Sequence, residues 1–223
     1  MGREVELTPG AVTVRITRFT RTERAVHWIH AASFLAMLVT GLVLYIPAWS
    51  SWFGRRHLVK NVHLVTAVVW VIAIALVVIV GNRKALMRTW RDAETIDADD
   101  RRWLTGRGAP QGRMNAGQKL NTIVTVAFAL LFLLTGFLLW LGERDHRFLF
   151  AGTGALHDLL TFVSIAILVG HLYLALIHPS TRHALRGMVK GDVDLEWAER
   201  HHSKWVAEVR AEADEPVEAS TGR

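Results

Sequence analysis

Four apolar runs divide the chain, at about residues 25–46, 58–80, 120–141 and 155–177. Each is close to the twenty or so residues with which an α-helix crosses about 30 Å of hydrocarbon. The last run carries one acidic residue, Asp158, and two histidines, His157 and His171. Their spacing is close to four helical turns, so the two imidazoles share a face at depths about 21 Å apart. The pattern predicts an all-α integral membrane four-helix bundle. It is read as a single domain over residues 1–223, whose tail from 178 to 223 includes a further helix.

Composition agrees: 51% of the residues are hydrophobic, the mean hydropathy is +0.25 and there are nine tryptophans in 223 residues. These values belong to a membrane protein. There is no cysteine, which excludes disulfides, cysteine-held iron–sulfur clusters and covalent c-type haem in this chain. A redox centre here has to be held by histidine or methionine.

The net charge of +6 would suit a nucleic-acid binder if it formed one patch, but it is distributed by topology. Twenty-one lysines and arginines precede the first run, separate the second from the third, or follow the fourth. Five (Arg55, Arg56, Lys60, Arg144, Arg147) lie toward the two short connections. By the positive-inside rule both termini and the middle loop are cytoplasmic, and no nucleic-acid partner is expected. No cleavable signal sequence is expected, since the segment before the first run is long and polar.

Residues 1–10 read as a loose start, and VTVRITRFTRTER (12–24) as a short strand or an arm along the headgroups. A short amphipathic helix is expected around Lys84–Trp90 within an otherwise solvated loop. Before the third run, GRMNAGQKLN has two readings, a helix cap with Asn115 as N-cap or a small polar pocket at the membrane surface. The third run has no histidine; Gly136 is its expected point of close approach. The last residues, 212–223, read as disordered.

Ionisable side chains inside a span are costly and mark bundle-facing sites with a ligand or partner. His27 lies early in the first run and His171 late in the fourth, which places both near the cytoplasmic side. His63 and His157 lie early in the second and fourth, near the outer side. The depths therefore give two pairs, His27/His171 inner and His63/His157 outer, as axial ligands of iron in two haems. Gly41 shares a face with His27, and either helix packing or a flat porphyrin would use it. His30 competes with His27. Arg24 inside and Arg55 or Arg56 outside are candidate propionate partners. The His201–His202 pair lacks companions at metal-site spacing.

The blocks RAVHW, NVHLVTA, MNAGQK, LHDLL, GHLYLALIH and EWAERHHSKWV, in this order, resemble the gamma subunit (cytochrome b556) of membrane-bound respiratory formate dehydrogenase, within the diheme cytochrome b superfamily. The resemblance implies two haem b held by His27, His63, His157 and His171, and a quinone site, for menaquinone or ubiquinone, bordered by Asn115, Gly117 and Gln118 with His171 nearby. It also implies an iron–sulfur beta subunit, a molybdenum or tungsten catalytic alpha subunit, and a place in the bacterial inner membrane. On this reading electrons cross from the iron–sulfur subunit to a quinone at the cytoplasmic side. The alternatives are the cytochrome b subunit of a nickel–iron hydrogenase or another molybdoenzyme, and a haem-free anchor or transporter whose histidines relay protons.

Overall fold

The structure, a computed structural model, describes residues 4–8 and 11–214. In chain order these form β1 (Glu4–Thr8), β2 (Ala11–Thr17), α1 (Arg21–Tyr45), α2 (Pro47–Phe53), α3 (Arg56–Val80), α4 (Arg83–Glu94) and α5 (Ala98–Leu104). There follow α6 (Ala116–Gly142), α7 (Thr153–Leu172) with a π-helical turn (Tyr173–Ile177), α8 (Leu185–Val189), β3 (Asp192–Asp194), α9 (Leu195–His201) and α10 (Ser203–Asp214). Four helices are long and apolar enough to span a membrane: Arg21–Tyr45, Arg56–Val80, Ala116–Gly142 and Thr153–Ile177. They coincide with the four apolar runs. The loose start is a strand over Glu4–Thr8, and residues 212–214 close α10. The remaining parts of those two expectations, residues 1–3, 9–10 and 215–223, lie outside the described residues.

The contacts divide the chain into two compact units, residues 20–87 with 126–182, and residues 1–19 with 88–125 and 183–223. The first holds most of the membrane helices. Its α1 starts at a capping box in which Thr20 accepts from the Glu23 amide and the Glu23 carboxylate accepts from the Thr20 amide, satisfying two of the helix's unpaired donors. Pro47, which has no amide hydrogen to lose, opens α2. The end of α3 closes on the start of α1: Asn82 donates its amide to Thr22 Oγ1 at 3.0 Å, and a Cβ on Gly81 would lie 2.6 Å from Thr22 Cγ2. Between 6% and 11% of the most apolar stretch of each spanning helix is buried by protein, leaving apolar surface for lipid and for a cofactor.

The second unit is water-facing in composition. Its sheet has the order β1-β2-β3, antiparallel throughout, with Arg15 opposite Asp194, Ile16 opposite Val193 and Thr17 opposite Asp192. The arm before the first span is thus a strand. Ile16 and Val193 pack with Trp197, Ala198, Trp205 and Val206 from α9 and α10 into a small core. The amphipathic helix expected near Lys84–Trp90 is α4. The charged run after it, expected as a solvated loop, contains α5 instead, because Asp97 and Asp100 form a reciprocal capping box at 2.9 and 3.0 Å.

Candidate functional site

Within the membrane unit, His63 stands two turns into α3 and His157 in the first turns of α7, both near the short connections. Their ring centroids are 6.5 Å apart and their planes meet at 65°. Each has a threonine behind it. Thr40 Oγ1 lies 2.9 Å from His63 Nδ1, and Thr135 Oγ1 lies 2.8 Å from His157 Nδ1. A glycine follows each threonine: a Cβ on Gly41 or on Gly136 would sit 3.6 Å from Cε1 of His63 or His157 respectively. The close approach expected of Gly136 is therefore against a histidine ring.

At the other end of the same helices, the rings of His27 and His171 have centroids 6.3 Å apart at 46°. His27 Nδ1 is buried without a hydrogen-bond partner among the described residues. The π-helical turn begins two residues after His171, a distortion often found at functional sites. His30 is turned elsewhere, stacked on Phe34 at 6.1 Å and 5.6 Å from the Trp70 ring.

These separations discriminate between chemistries. A hydrogen bond between two imidazoles spans about 2.9 Å from nitrogen to nitrogen; with about 1.1 Å from each ring centre to its nitrogen, the centroids would stand about 5.1 Å apart. A metal between them, at about 2.0 Å from each nitrogen as for other imidazole–metal bonds, needs about 6.2 Å. The observed 6.3 and 6.5 Å suit an intervening metal and are too long for a direct proton relay. Paired imidazoles on apolar spanning helices, each pair beside a stretch with little protein burial, are a donor set that fits haem. His27 with His171, and His63 with His157, are the residues that would hold it.

Among the flanking cations, Arg24 lies in the first turn of α1. Arg56 donates to the Leu44 carbonyl at 2.8 Å and to Ser50 at 3.1 Å, which commits it to the short connection, while Arg55 is exposed.

In the other unit, residues 111–119 form a polar loop held from several sides. Asn115 caps α6: its Oδ1 accepts from the Gln118 amide at 2.9 Å and Gln118 Oε1 accepts from the Asn115 amide at 3.1 Å. This is the capping reading, and it leaves the side-chain NH2 groups of Asn115 and Gln118 as donors without a partner among the described residues. Gly117 lies against Trp103, whose ring atoms would be 3.4 Å from an added Cβ. Lys119 is bound to Asp100 at 2.7 Å, both buried.

Arg18 and His202 are the parts of this loop's support that sequence reasoning did not find. Arg18, 3% exposed, donates to the Arg113 carbonyl at 2.7 Å, to Gln118 Oε1 at 3.0 Å and to His202 Nε2 at 3.0 Å. Burial, and then the neighbouring Arg113, push its pKa down to about 9, which leaves it charged at neutral pH. His202 is 1% exposed, with Nδ1 2.7 Å from the Gly112 carbonyl. A carbonyl only accepts and a guanidinium only donates, so this ring is neutral with its proton on Nδ1. Burial and Arg18 push its pKa down to about 3. Half of the HH pair is thus consumed inside the fold, and His201 Nδ1 lies 2.9 Å from the Trp197 carbonyl.

Four spanning helices that bring histidines together in two pairs fit an integral membrane cytochrome of the b type. The chain belongs to the prokaryotic cytochrome b561 family, which matches residues 18–191, and as a cytochrome b it holds haem b. It is 28% identical over 218 residues, 91% of this chain and 97% of the relative, to the formate dehydrogenase cytochrome b556(fdo) subunit of Escherichia coli strain K12. It is also similar to the formate dehydrogenase cytochrome b556 subunit of Haemophilus influenzae, 26% identical over 87% of this chain and 83% of that one. The nitrate-inducible formate dehydrogenase cytochrome b556(Fdn) subunit of Escherichia coli is 22% identical over 91% and 96%.

Proposed function

We propose that the chain is the membrane cytochrome subunit of a formate dehydrogenase complex, conducting electrons from an iron–sulfur subunit through two haem b to a quinone. The observation that carries this reading is the pair of imidazole separations, 6.3 and 6.5 Å. His63 and His157 hold one haem near the short connections, and His27 and His171 hold the other near the start of α1 and the end of α7. A haem held there by two histidines would supply a one-electron carrier, suited to electron transfer rather than oxygen chemistry. The protein's part is to hold the four imidazoles neutral and face to face, and to keep water from the space between them. His30, engaged with Phe34 and Trp70, is left outside the ligand set.

The quinone is taken at the loop before α6. A quinone carbonyl is a hydrogen-bond acceptor, and the side-chain NH2 groups of Asn115 and Gln118 are donors whose partner oxygens are already committed to the helix cap. Gly117 keeps that turn free of a side chain. The charge distribution supports placing both termini and this loop in the cytoplasm of a bacterial cell. Quinone reduction then takes protons from that side, while an iron–sulfur subunit and a molybdenum or tungsten catalytic subunit dock at the opposite face.

The test is haem quantitation in the purified complex. Replacing His63 or His157 with alanine removes one haem per chain, and replacing His27 or His171 removes the other. Retention of both after any of these changes would refute the ligand assignment. Labelling of the 111–119 loop by an impermeant reagent added outside intact cells would refute the orientation.

A further inference from the structure

Thr40 and Thr135 occupy equivalent places in two helix pairs. In each, a Thr-Gly dipeptide on one spanning helix faces a histidine on the next, 23 residues on for Thr40 and His63 and 22 for Thr135 and His157. Each hydroxyl has one hydrogen, and each lies near its own helix carbonyls: Thr40 Oγ1 is 2.8 Å from the Ala36 oxygen, and Thr135 Oγ1 is 2.8 Å from the Leu131 oxygen. Carbonyls cannot donate, so the threonine hydrogen goes to them. The hydroxyl oxygen is then left to accept from the histidine, whose proton must be on Nδ1; at His63 the Met37 carbonyl is a second acceptor for that proton, so the hydroxyl is the larger share of the contact at His157. The free lone pair is on Nε2, the nitrogen available to iron. The glycine at each site lies beside the same ring, with room for no more than a methyl group.

We propose that Thr40 and Thr135 are positioning residues that fix the tautomer of both ligands of one haem and hold its reduction potential below that of the other. The proposal rests on the haem assignment above. A hydrogen bond accepted from a ligand's second ring nitrogen raises that ligand's basicity, and a more basic ligand favours the ferric over the ferrous ion. The His63/His157 pair has two such contacts. At the other site His27 Nδ1 is buried with no partner among the described residues. The asymmetry therefore makes transfer from the first site to the second downhill, toward the start of α1 and the end of α7.

The experiment is a potentiometric titration of the whole purified complex, followed by the b-type absorbance, with T40V, T135V, T40S and T135S compared against the parent. Each valine variant moves the lower of the two potentials upward and leaves the higher in place. A tenfold loss of ferric preference is read as 59 mV. Each serine variant, which keeps the hydroxyl, retains both haems at the parent potentials. The proposal is overturned if the valine variants leave the lower potential unmoved, or if the higher one moves instead. It is also overturned if serine shifts the potential as far as valine, since packing of the methyl group would then be the cause. Should a valine variant shed its haem, the alanine variant at the same position takes its place on the same criteria. Retention of both haems by H63A would instead refute the underlying assignment.

Discussion

Acidification should loosen the 111–119 loop through one side chain. His202 is enclosed by the Gly112 carbonyl, the Arg18 guanidinium, the rings of Trp197 and Trp205, and the neighbouring His201. Its pKa is pushed from 6.5 down to about 3 by burial first and Arg18 second. In the unfolded chain the ring takes up a proton below 6.5, whereas in the folded chain it does so only near 3. Between these values the unfolded state binds more protons, so stability falls as the pH falls. The contribution is complete above 6.5 and declines progressively from there toward 3. At pH 5, one and a half pH units below the ordinary value, the loss is about 2 kcal/mol, or about a 30-fold rise in the open fraction.

Amide hydrogen exchange reads this at the Ala116 and Gln118 amides, which donate to Gln111 Oε1 and Asn115 Oδ1. After correction for the intrinsic exchange rate, their protection in the detergent-solubilised complex should fall by about 30-fold between pH 8 and pH 5. In H202Q the amide oxygen can take the place of Nε2 toward Arg18, and the residue does not titrate. His201 is present in both proteins and cancels in the comparison. If H202Q loses as much protection as the parent over this range, His202 is not the group responsible and the reasoning fails.

Three further outcomes follow from contacts of the same kind. Asn115→Asp keeps an oxygen to cap α6 but removes the NH2 donor, so quinone reduction should fall while thermal stability holds. Asn115→Ala should also lose about 1 kcal/mol of stability, and equal turnover in the two variants and the parent would refute a quinone contact there. Gly41→Ala and Gly136→Ala place a methyl at ordinary contact distance from His63 and His157 and should keep both haems. Isoleucine at either position should cost the one haem held by that pair, as haem counting would reveal. Lys119→Met strands the buried Asp100 carboxylate and should cost about 3–5 kcal/mol in denaturant unfolding of this unit, most of it recovered by adding Asp100→Asn.

What could be read from the chain and what could not divide along a physical line. The four spans and the pairing of His27 with His171 and of His63 with His157 depend on periodicity and helical rise, which are properties of neighbouring residues. Depth along a straight helix needs no knowledge of packing. The capping role of Asn115 and the strand before α1 are local in the same way. Asp97 and Asp100 were also within reach, since their three-residue spacing is a capping signature that a charge-based reading absorbed into a solvated loop. Thr40 and Thr135 were harder. A threonine inside a span ordinarily satisfies its hydroxyl on its own helix, as both of these do, so nothing local reveals a second partner; only the repeated Thr-Gly pairs in two spans hinted at one. Arg18 and His202 lie 184 positions apart, and neither carries a local sign that the other will meet it. In the sequence the HH pair is weighed only for metal-site spacing, which says nothing of a buried contact with an arginine.

The residues missed are those that act on other functional residues, and that follows from what a site of this kind demands. The ligands must be histidines at defined depths, so residue type and position alone announce them. The groups behind them need only offer an acceptor oxygen at about 2.8 Å, which a threonine, a serine or a carbonyl can all supply. Chemistry that many residue types can perform leaves little mark in composition or spacing, and it becomes visible only when the helices are set side by side. The two histidine pairs look equivalent in the sequence. In the structure one is backed by two hydroxyls and the other has a buried Nδ1 with no partner among the described residues. On the function proposed above, that difference, rather than the ligands themselves, gives the electron path its direction.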